Sequence, residues 1–184
     1  ILLVIVGTLP LFAVLPFKDR IEGLSDNLYV VAAALILTGF LLFFSDRVRK
    51  GRKKERSARM TDALIVGISQ AFATCPGLSR SGTTITTGCL VGFERKFAVR
   101  FSFILSIPAV LGANILSIKD ALDAGVNWGE LPVYLVGVLV AAVSGYACIR
   151  LLKMIANRGR FGWFAYYCWA VGLLTLILKL THAS

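Results

Sequence analysis

The chain has 184 residues, of which 57% are hydrophobic and only 16% charged, with a mean hydropathy of +0.78 and a net charge of +10. A water-soluble domain of this size cannot cover so much apolar side chain with so few charges, so that class is excluded and lipid must solvate part of the surface. At about 20 residues per crossing, the length accommodates five or six membrane segments in a single domain over residues 1–184. The fold class expected is all-α, a polytopic membrane helical bundle.

Ile1 already lies inside an apolar run, with no methionine, basic leader or cleavage pattern before it. This is not a signal peptide, and the sequence is expected to lack its true N-terminus. Ile1–Phe17 reads as the tail of a crossing that Pro10 and Pro16 kink or end. Lys18–Asn27 reads as a polar turn with two basic and three acidic residues, and Leu28–Phe44 as a clean crossing. Ser45–Met60 carries eight Lys/Arg: Arg47, Arg49, Lys50, Arg52, Lys53, Lys54, Arg56 and Arg59. Thr61–Gly92 is apolar but interrupted at Pro76–Gly82, and a basic patch of Arg95, Lys96 and Arg100 follows. Crossings are then expected at Phe97–Leu116, Val133–Leu152 and Phe161–Leu180. The loop Ile118–Pro132 between the first two has one lysine and three acids; that between the last two has Lys153, Arg158 and Arg160.

These loop charges select a topology. If residues 61–92 enter the membrane and return to the same side, every Lys/Arg-rich loop falls on one face, as the positive-inside rule requires. A simple crossing there would put Arg95, Lys96 and the Lys153–Arg160 loop outside. The charge pattern therefore predicts a re-entrant helix–loop–helix hairpin over 61–92, allowed only where its irregular backbone is buried in protein or lines a wet cavity. The basic run Arg47–Arg59 has no interleaved aromatics and sits between membrane segments, so it reads as an anchor to anionic lipid and not as a nucleic-acid surface.

Between Ala63 and Phe93 the one charged residue is Arg80. A guanidinium at membrane depth costs about 3 kcal/mol or more unless partnered, which marks it as a candidate site residue against the blander alternatives of snorkelling or structural pairing. Pro76 should end the first half-helix, and Gly77 and Gly82 admit close approach of a ligand. Ser79, Ser81, Thr83, Thr84, Thr86 and Thr87 supply hydroxyls. A second half-helix capped near Ser81–Thr83 would point free N–H groups and its positive dipole end into the loop. Arginine beside such a terminus suits phosphate or diphosphate, because the guanidinium fork matches phosphate oxygens in pairs. Gln70 could add an amide to this cavity or make a helix–helix hydrogen bond. Residue chemistry alone leaves hydrolysis and transport by a carrier or flippase both open, since broken helices also serve carriers.

The stretch Pro76–Ile85, reading PGLSRSGTTI, resembles the undecaprenyl-diphosphate phosphatase family, the bacitracin-resistance membrane enzymes. Gln70, the Gly92–Phe93 exit, Phe101–Phe103, Pro108 and the succession of crossings extend the resemblance over the whole chain. The resemblance implies hydrolysis of the diphosphate of a polyprenyl carrier lipid in the bacterial inner membrane, with a site facing the periplasm or cell exterior. It also implies a divalent cation (Mg or Ca) and an inverted-repeat architecture with two re-entrant hairpins. By position, Arg80 and Ser79 would be catalytic, while Gly77, Ser81, Gly82, Thr83, Thr84 and Gln70 would bind substrate. The family's other motif, with paired glutamates, a serine and a histidine, has no counterpart here, so metal ligands are not expected in this chain. A homo-oligomer is a further expectation.

Elsewhere, Cys75, Cys89, Cys148 and Cys168 show no CxxC pairing and read as packing residues. His182, in the polar tail Thr181–Ser184, reads as a surface residue. Gly137, Ala141 and Gly145, and Gly88 and Gly92, have helix-packing spacing.

Overall fold

A computed structural model describes residues 1–48, 51–124, 129, 131–157 and 162–182. These residues form α1 (Leu2–Phe12), α2 (Lys18–Gly23), α3 (Leu28–Ser45), α4 (Met60–Phe72), α5 (Arg80–Leu90), α6 (Arg95–Ala124), α7 (Leu131–Asn157) and α8 (Gly162–His182). No strand occurs among the described residues, and their one isolated bridge joins Lys53 to Phe93. Helices α3, α6, α7 and α8 are long and apolar enough to cross a bilayer, and α1 with its bent continuation can be counted as a fifth. The chain is thus an all-α, multi-pass membrane protein.

Several boundaries differ from the sequence expectation. Lys18–Asn27 is no loose turn: α2 and a 3-10 turn at Leu24–Asp26 occupy it, bent by 83° from the preceding segment. The crossing expected at Phe97–Leu116 extends to Arg95–Ala124, and α7 runs from Leu131 to Asn157. His182 is the last residue of α8, and its side chain, expected at the surface, lies outside the described residues. Hydropathy marks where hydrocarbon ends, but a helix satisfies its own backbone and continues into the headgroup layer. Arg49, Lys50, Glu130, Arg158 and Arg160, and the side chain of Asp123, lie outside the described residues.

Residues 61–92 form a hairpin. At 13 and 11 residues, α4 and α5 are about 20 and 16 Å long, well short of the roughly 30 Å hydrocarbon core. Their open ends meet at one lysine. The Lys53 N–H donates to Gly92 O at 2.9 Å and Glu94 N–H donates to Lys53 O at 2.8 Å. The Lys53 ammonium donates to both Asp62 carboxylate oxygens at 2.9 and 3.0 Å, and Arg59 N–H donates to one of them at 3.0 Å. The start of α4 and the exit of α5 are therefore neighbours, which a membrane crossing would forbid. Burial pushes the Asp62 carboxyl up, yet the bonds from Lys53 and Arg59 and their charges hold it below its ordinary value.

A second ionic clip fastens the crossings at this same end. Arg95, in the first turn of α6, donates to Asp46 at 2.9 Å and to Ser45 O, while Asp46 accepts from Gly162 N–H at 2.7 Å. One carboxylate beyond α3 thereby holds the starts of α6 and α8.

Glycines set the closest helix crossings. A Cβ on Gly67 of α4 would lie 2.2 Å from Gly7 O of α1, so these backbones touch. On α3, a Cβ at Gly39 would strike the Trp169 indole, whose Nε1 donates to Ile36 O at 3.2 Å. Phe93, Phe97 and Phe101 stack along the α5–α6 seam. The glycine spacings singled out in the sequence behave differently. Gly88 packs on Ala98, Gly92 makes a turn at φ +94, and Gly137 and Gly145 meet nothing within 4 Å. No residue of the α7 crossing is buried against the described chain.

Gly67→Ala should therefore overpack the α1–α4 crossing and cost about 1–3 kcal/mol of unfolding free energy. Gly137→Ala, with open space around it, should leave stability unchanged or raise it by up to about 1 kcal/mol through helix propensity. Denaturation in mixed micelles, followed by circular dichroism, checks both; equal effects would overturn the assignment of the crossing.

Candidate functional site

The hairpin tip is built by local rules and then pinned from outside. Helix α4 ends at Phe72, four residues before Pro76, and turns through Cys75 N–H to Phe72 O and Leu78 N–H to Cys75 O. Gly77 adopts φ +88, a left-handed conformation that a side chain would strain, and a Cβ there would sit 2.8 Å from Val31 O. Thr38 of α3 grips the loop twice. Its hydroxyl donates to Gly77 O at 3.1 Å and accepts from Ser79 N–H at 3.0 Å. Thr38 is only 2% exposed, so it replaces water for two backbone groups that membrane depth would otherwise leave unpaired.

Helix α5 starts two residues earlier than expected. Ser79, not Ser81–Thr83, is the N-cap, its Oγ accepting from Gly82 N–H at 3.1 Å. The Ser79 carbonyl takes both Thr83 N–H and the Thr83 hydroxyl. The cap lies earlier because the loop bond to Thr38 fixes Ser79 in extended geometry, ψ 110, which suits a cap. Arg80 is consequently the first helical residue. Its N–H and that of Ser81 have no partner among the described residues, and both sit at the positive end of the α5 dipole.

The Arg80 guanidinium enters a cavity of about 420 Å³. Around it stand the second half of α1, the turn at Leu15, α2, Ala73 and Thr74, and the later half of α6 from Pro108 to Leu116. The walls are chiefly apolar; the charged groups are Arg80, Lys18 and Glu22. Among the described residues no side chain pairs with the Arg80 guanidinium. Phe12, Leu15 and Ile115 on the wall are also exposed on the protein's outer surface, so the cavity communicates with the lipid-facing side.

The other sequence-predicted residues take different places. Ser79 and Ser81 flank Arg80 at the helix start and are half-buried. Gly77 and Gly82 shape the loop, with Gly82 tucked against Leu42 of α3. Thr83 and Thr84 are buried inside the bundle, where the Thr84 hydroxyl meets Ser102 of α6 at 2.5 Å and donates to Arg80 O at 2.9 Å. Gln70 is fully buried one helical turn below Ala73 and Thr74, with neither amide atom bonded to protein. Arg80 is thus the one member of the predicted set that lines the cavity. Reading the sequence missed Thr38, Ser102, Lys18 and Thr74. Only Ser102 carried a signal, within the Phe101–Phe103 resemblance; the others need the three-dimensional fold.

The residues present do not fit a divalent cation. No three His, Cys, Asp or Glu side chains gather among the described residues, and the cavity's one carboxylate, Glu22, pairs with Lys18 at 3.8 Å. The chemistry present suits an anion: Arg80 lines the slot, and the open N–H groups of Arg80 and Ser81 lie at the same helix start, flanked by Ser79 and Ser81.

Fold and site together define a multi-pass membrane protein with a largely apolar pocket, lined by Arg80, at the tip of a helical hairpin. Residues 1–174 match the family described as bacitracin resistance protein BacA, and the chain belongs to that family. It is 39% identical over 178 residues to the undecaprenyl-diphosphatase of Halothermothrix orenii, covering 96% of this chain and 69% of that protein. It is 45% identical over 183 residues to that of Methanothermobacter thermautotrophicus, covering 97% of this chain and 99% of the relative. Against that of Carboxydothermus hydrogenoformans the identity is 37% over 181 residues, 97% of this chain and 69% of the relative.

Thr38→Val removes both grips on the tip while keeping side-chain shape. It should cost about 1–3 kcal/mol for each backbone group left unpaired, and impair anion binding at Arg80 with it. Thr38→Ser should retain both. Unfolding measurements with parallel phosphate-release assays decide; a Thr38→Val protein as stable and active as the parent would overturn the role of this clamp.

Proposed function

We propose that this chain hydrolyses undecaprenyl diphosphate to undecaprenyl phosphate and inorganic phosphate. The reaction recycles the carrier lipid for cell-wall synthesis and confers bacitracin resistance. The observation that carries the reading is Arg80, a cation without an anionic partner among the described residues, set at a helix start in a pocket open to lipid. An amphiphile with an anionic head matches both halves of that pocket.

In the reaction, water attacks the terminal phosphorus and the bond to the bridging oxygen breaks, leaving the monophosphate on the lipid. Charge builds on the bridging and peripheral oxygens as this happens. Arg80 neutralises that charge, and the N–H groups of Arg80 and Ser81 with the hydroxyls of Ser79 and Ser81 fix the oxygens. Phosphoryl transfer asks mainly for such positioning and electrostatic stabilisation. The Ser79 oxygen is occupied as an acceptor by Gly82 N–H, which leaves its own hydrogen to donate. This favours a binding role over a nucleophilic one.

Arg80→Ala should reduce phosphate release by about a hundredfold or more, and Arg80→Lys should recover little, because a point charge cannot replace the planar fork. Release from Arg80→Ala close to that of the parent would refute the assignment.

The same reading places the protein in the bacterial inner membrane, with Lys53, Arg59 and Arg95 at the cytoplasmic mouth of a re-entrant hairpin and the Arg80 pocket toward the periplasm or exterior. Cytoplasmic Lys/Arg excess supports this orientation. With Cys148 replaced by Ser, a cysteine at exposed Ser25 should label in intact cells with an impermeant maleimide, and one at exposed Ser57 should label only after lysis. The reverse pattern would invert the topology.

A further inference from the structure

Lys18 lines the same cavity as Arg80. It belongs to α2, and Lys18, Ile21 and Glu22 all line the cavity. Positions i, i+3 and i+4 form one helix face, so α2 lays a single face over the pocket. The 83° bend after α1 is what turns that face inward. Lys18 stands 3.8 Å from Glu22, a looser pairing than the 2.9 Å of Lys53 with Asp62, and its side chain is 36% exposed. Its contact with Glu22 is long enough to be exchanged for another anion.

Two cations lining one pocket suit two linked phosphates. We propose that Lys18 binds the terminal phosphate of the diphosphate head while Arg80 and the α5 terminus hold the rest, and that Lys18 makes the pocket prefer diphosphate to monophosphate. When diphosphate arrives, the Lys18 ammonium leaves Glu22 for phosphate oxygen. Once the terminal phosphate has gone, Lys18 returns to Glu22 and the monophosphate lipid is held by one cation fewer, which favours its release. This inference rests on the proposed function, since it names a specificity residue of that same site.

The test is binding of undecaprenyl diphosphate and undecaprenyl phosphate to the purified chain in detergent micelles. Lys18→Ala should weaken diphosphate binding by about ten- to a hundredfold, the range of one charge-assisted hydrogen bond, and leave monophosphate binding unchanged. Lys18→Arg should restore most of the preference, and Glu22→Gln should tighten diphosphate binding by removing the competitor. A role confined to the Lys18–Glu22 ion pair predicts equal losses in Lys18→Ala and Glu22→Gln, for both lipids. That result, or a Lys18→Ala protein with its preference intact, overturns the inference. Arg80→Ala reports separately on the function: it should weaken both lipids, and if it weakens neither, or the parent chain binds neither, the functional reading fails and this inference with it. Thermal melting of each variant establishes that it is folded, and Lys18→Arg keeps the question open to refutation if Lys18→Ala is not.

Discussion

A helix that stops halfway through a bilayer leaves N–H and C=O groups where no water can take them, and the bundle is arranged around that constraint. At the tip of the α4–α5 hairpin the groups are shared out one by one. Thr38 takes Gly77 O and Ser79 N–H, the Ser79 side chain takes Gly82 N–H, and the Ser79 carbonyl takes Thr83. The N–H groups of Arg80 and Ser81 stay open at the positive end of α5.

The hairpin works because its two ends are fixed by different forces. At the open end, charge dominates: Lys53 joins Asp62 and Gly92, and Asp46 joins Arg95 and Gly162. At the tip, the fastening is by neutral hydroxyls and close backbone contacts, and Arg80, the one charge there, takes no part in it. Between the two, Gly7 and Gly67 bring α1 against α4. Carriers also use broken helices, but they rock one bundle against another around the site. Here the hairpin is bonded to α3 at its tip, to the Lys53 loop at its base and to α1 along its length, an arrangement that suits a fixed binding pocket.

The sequence made the hairpin legible through charge alone, since Arg95 and Lys96 must lie on the same side as Arg47–Arg59. It also made Arg80 legible, as a lone charge between Ala63 and Phe93. Both signals survive projection onto a line. What stayed hidden depends on contacts between distant segments. Thr38 is one more small polar residue in an apolar crossing, and only the fold shows it opposite Gly77, 39 positions later. The N-cap was misplaced for the same reason: three hydroxyl residues compete locally, and the choice of Ser79 is made by a bond from another helix. Helix ends such as Ala124 were invisible because hydropathy reports solvent, not hydrogen bonding.

The pocket's asymmetry explains why arginine, and not lysine, stands at the tip. Arg80 stands half-buried at the start of α5, where its flat and weakly hydrated guanidinium loses least on leaving water and can meet two oxygens at once. Lys18 stands at the bent α2, half-exposed, where a compact and strongly hydrated ammonium can exchange Glu22 for another anion at small cost. On the function proposed for this pocket, the planar fork and the point charge would divide the work of gripping a head group and letting it go. The walls from α1 and α6 are chiefly apolar, which suits an anion that brings its own hydrocarbon.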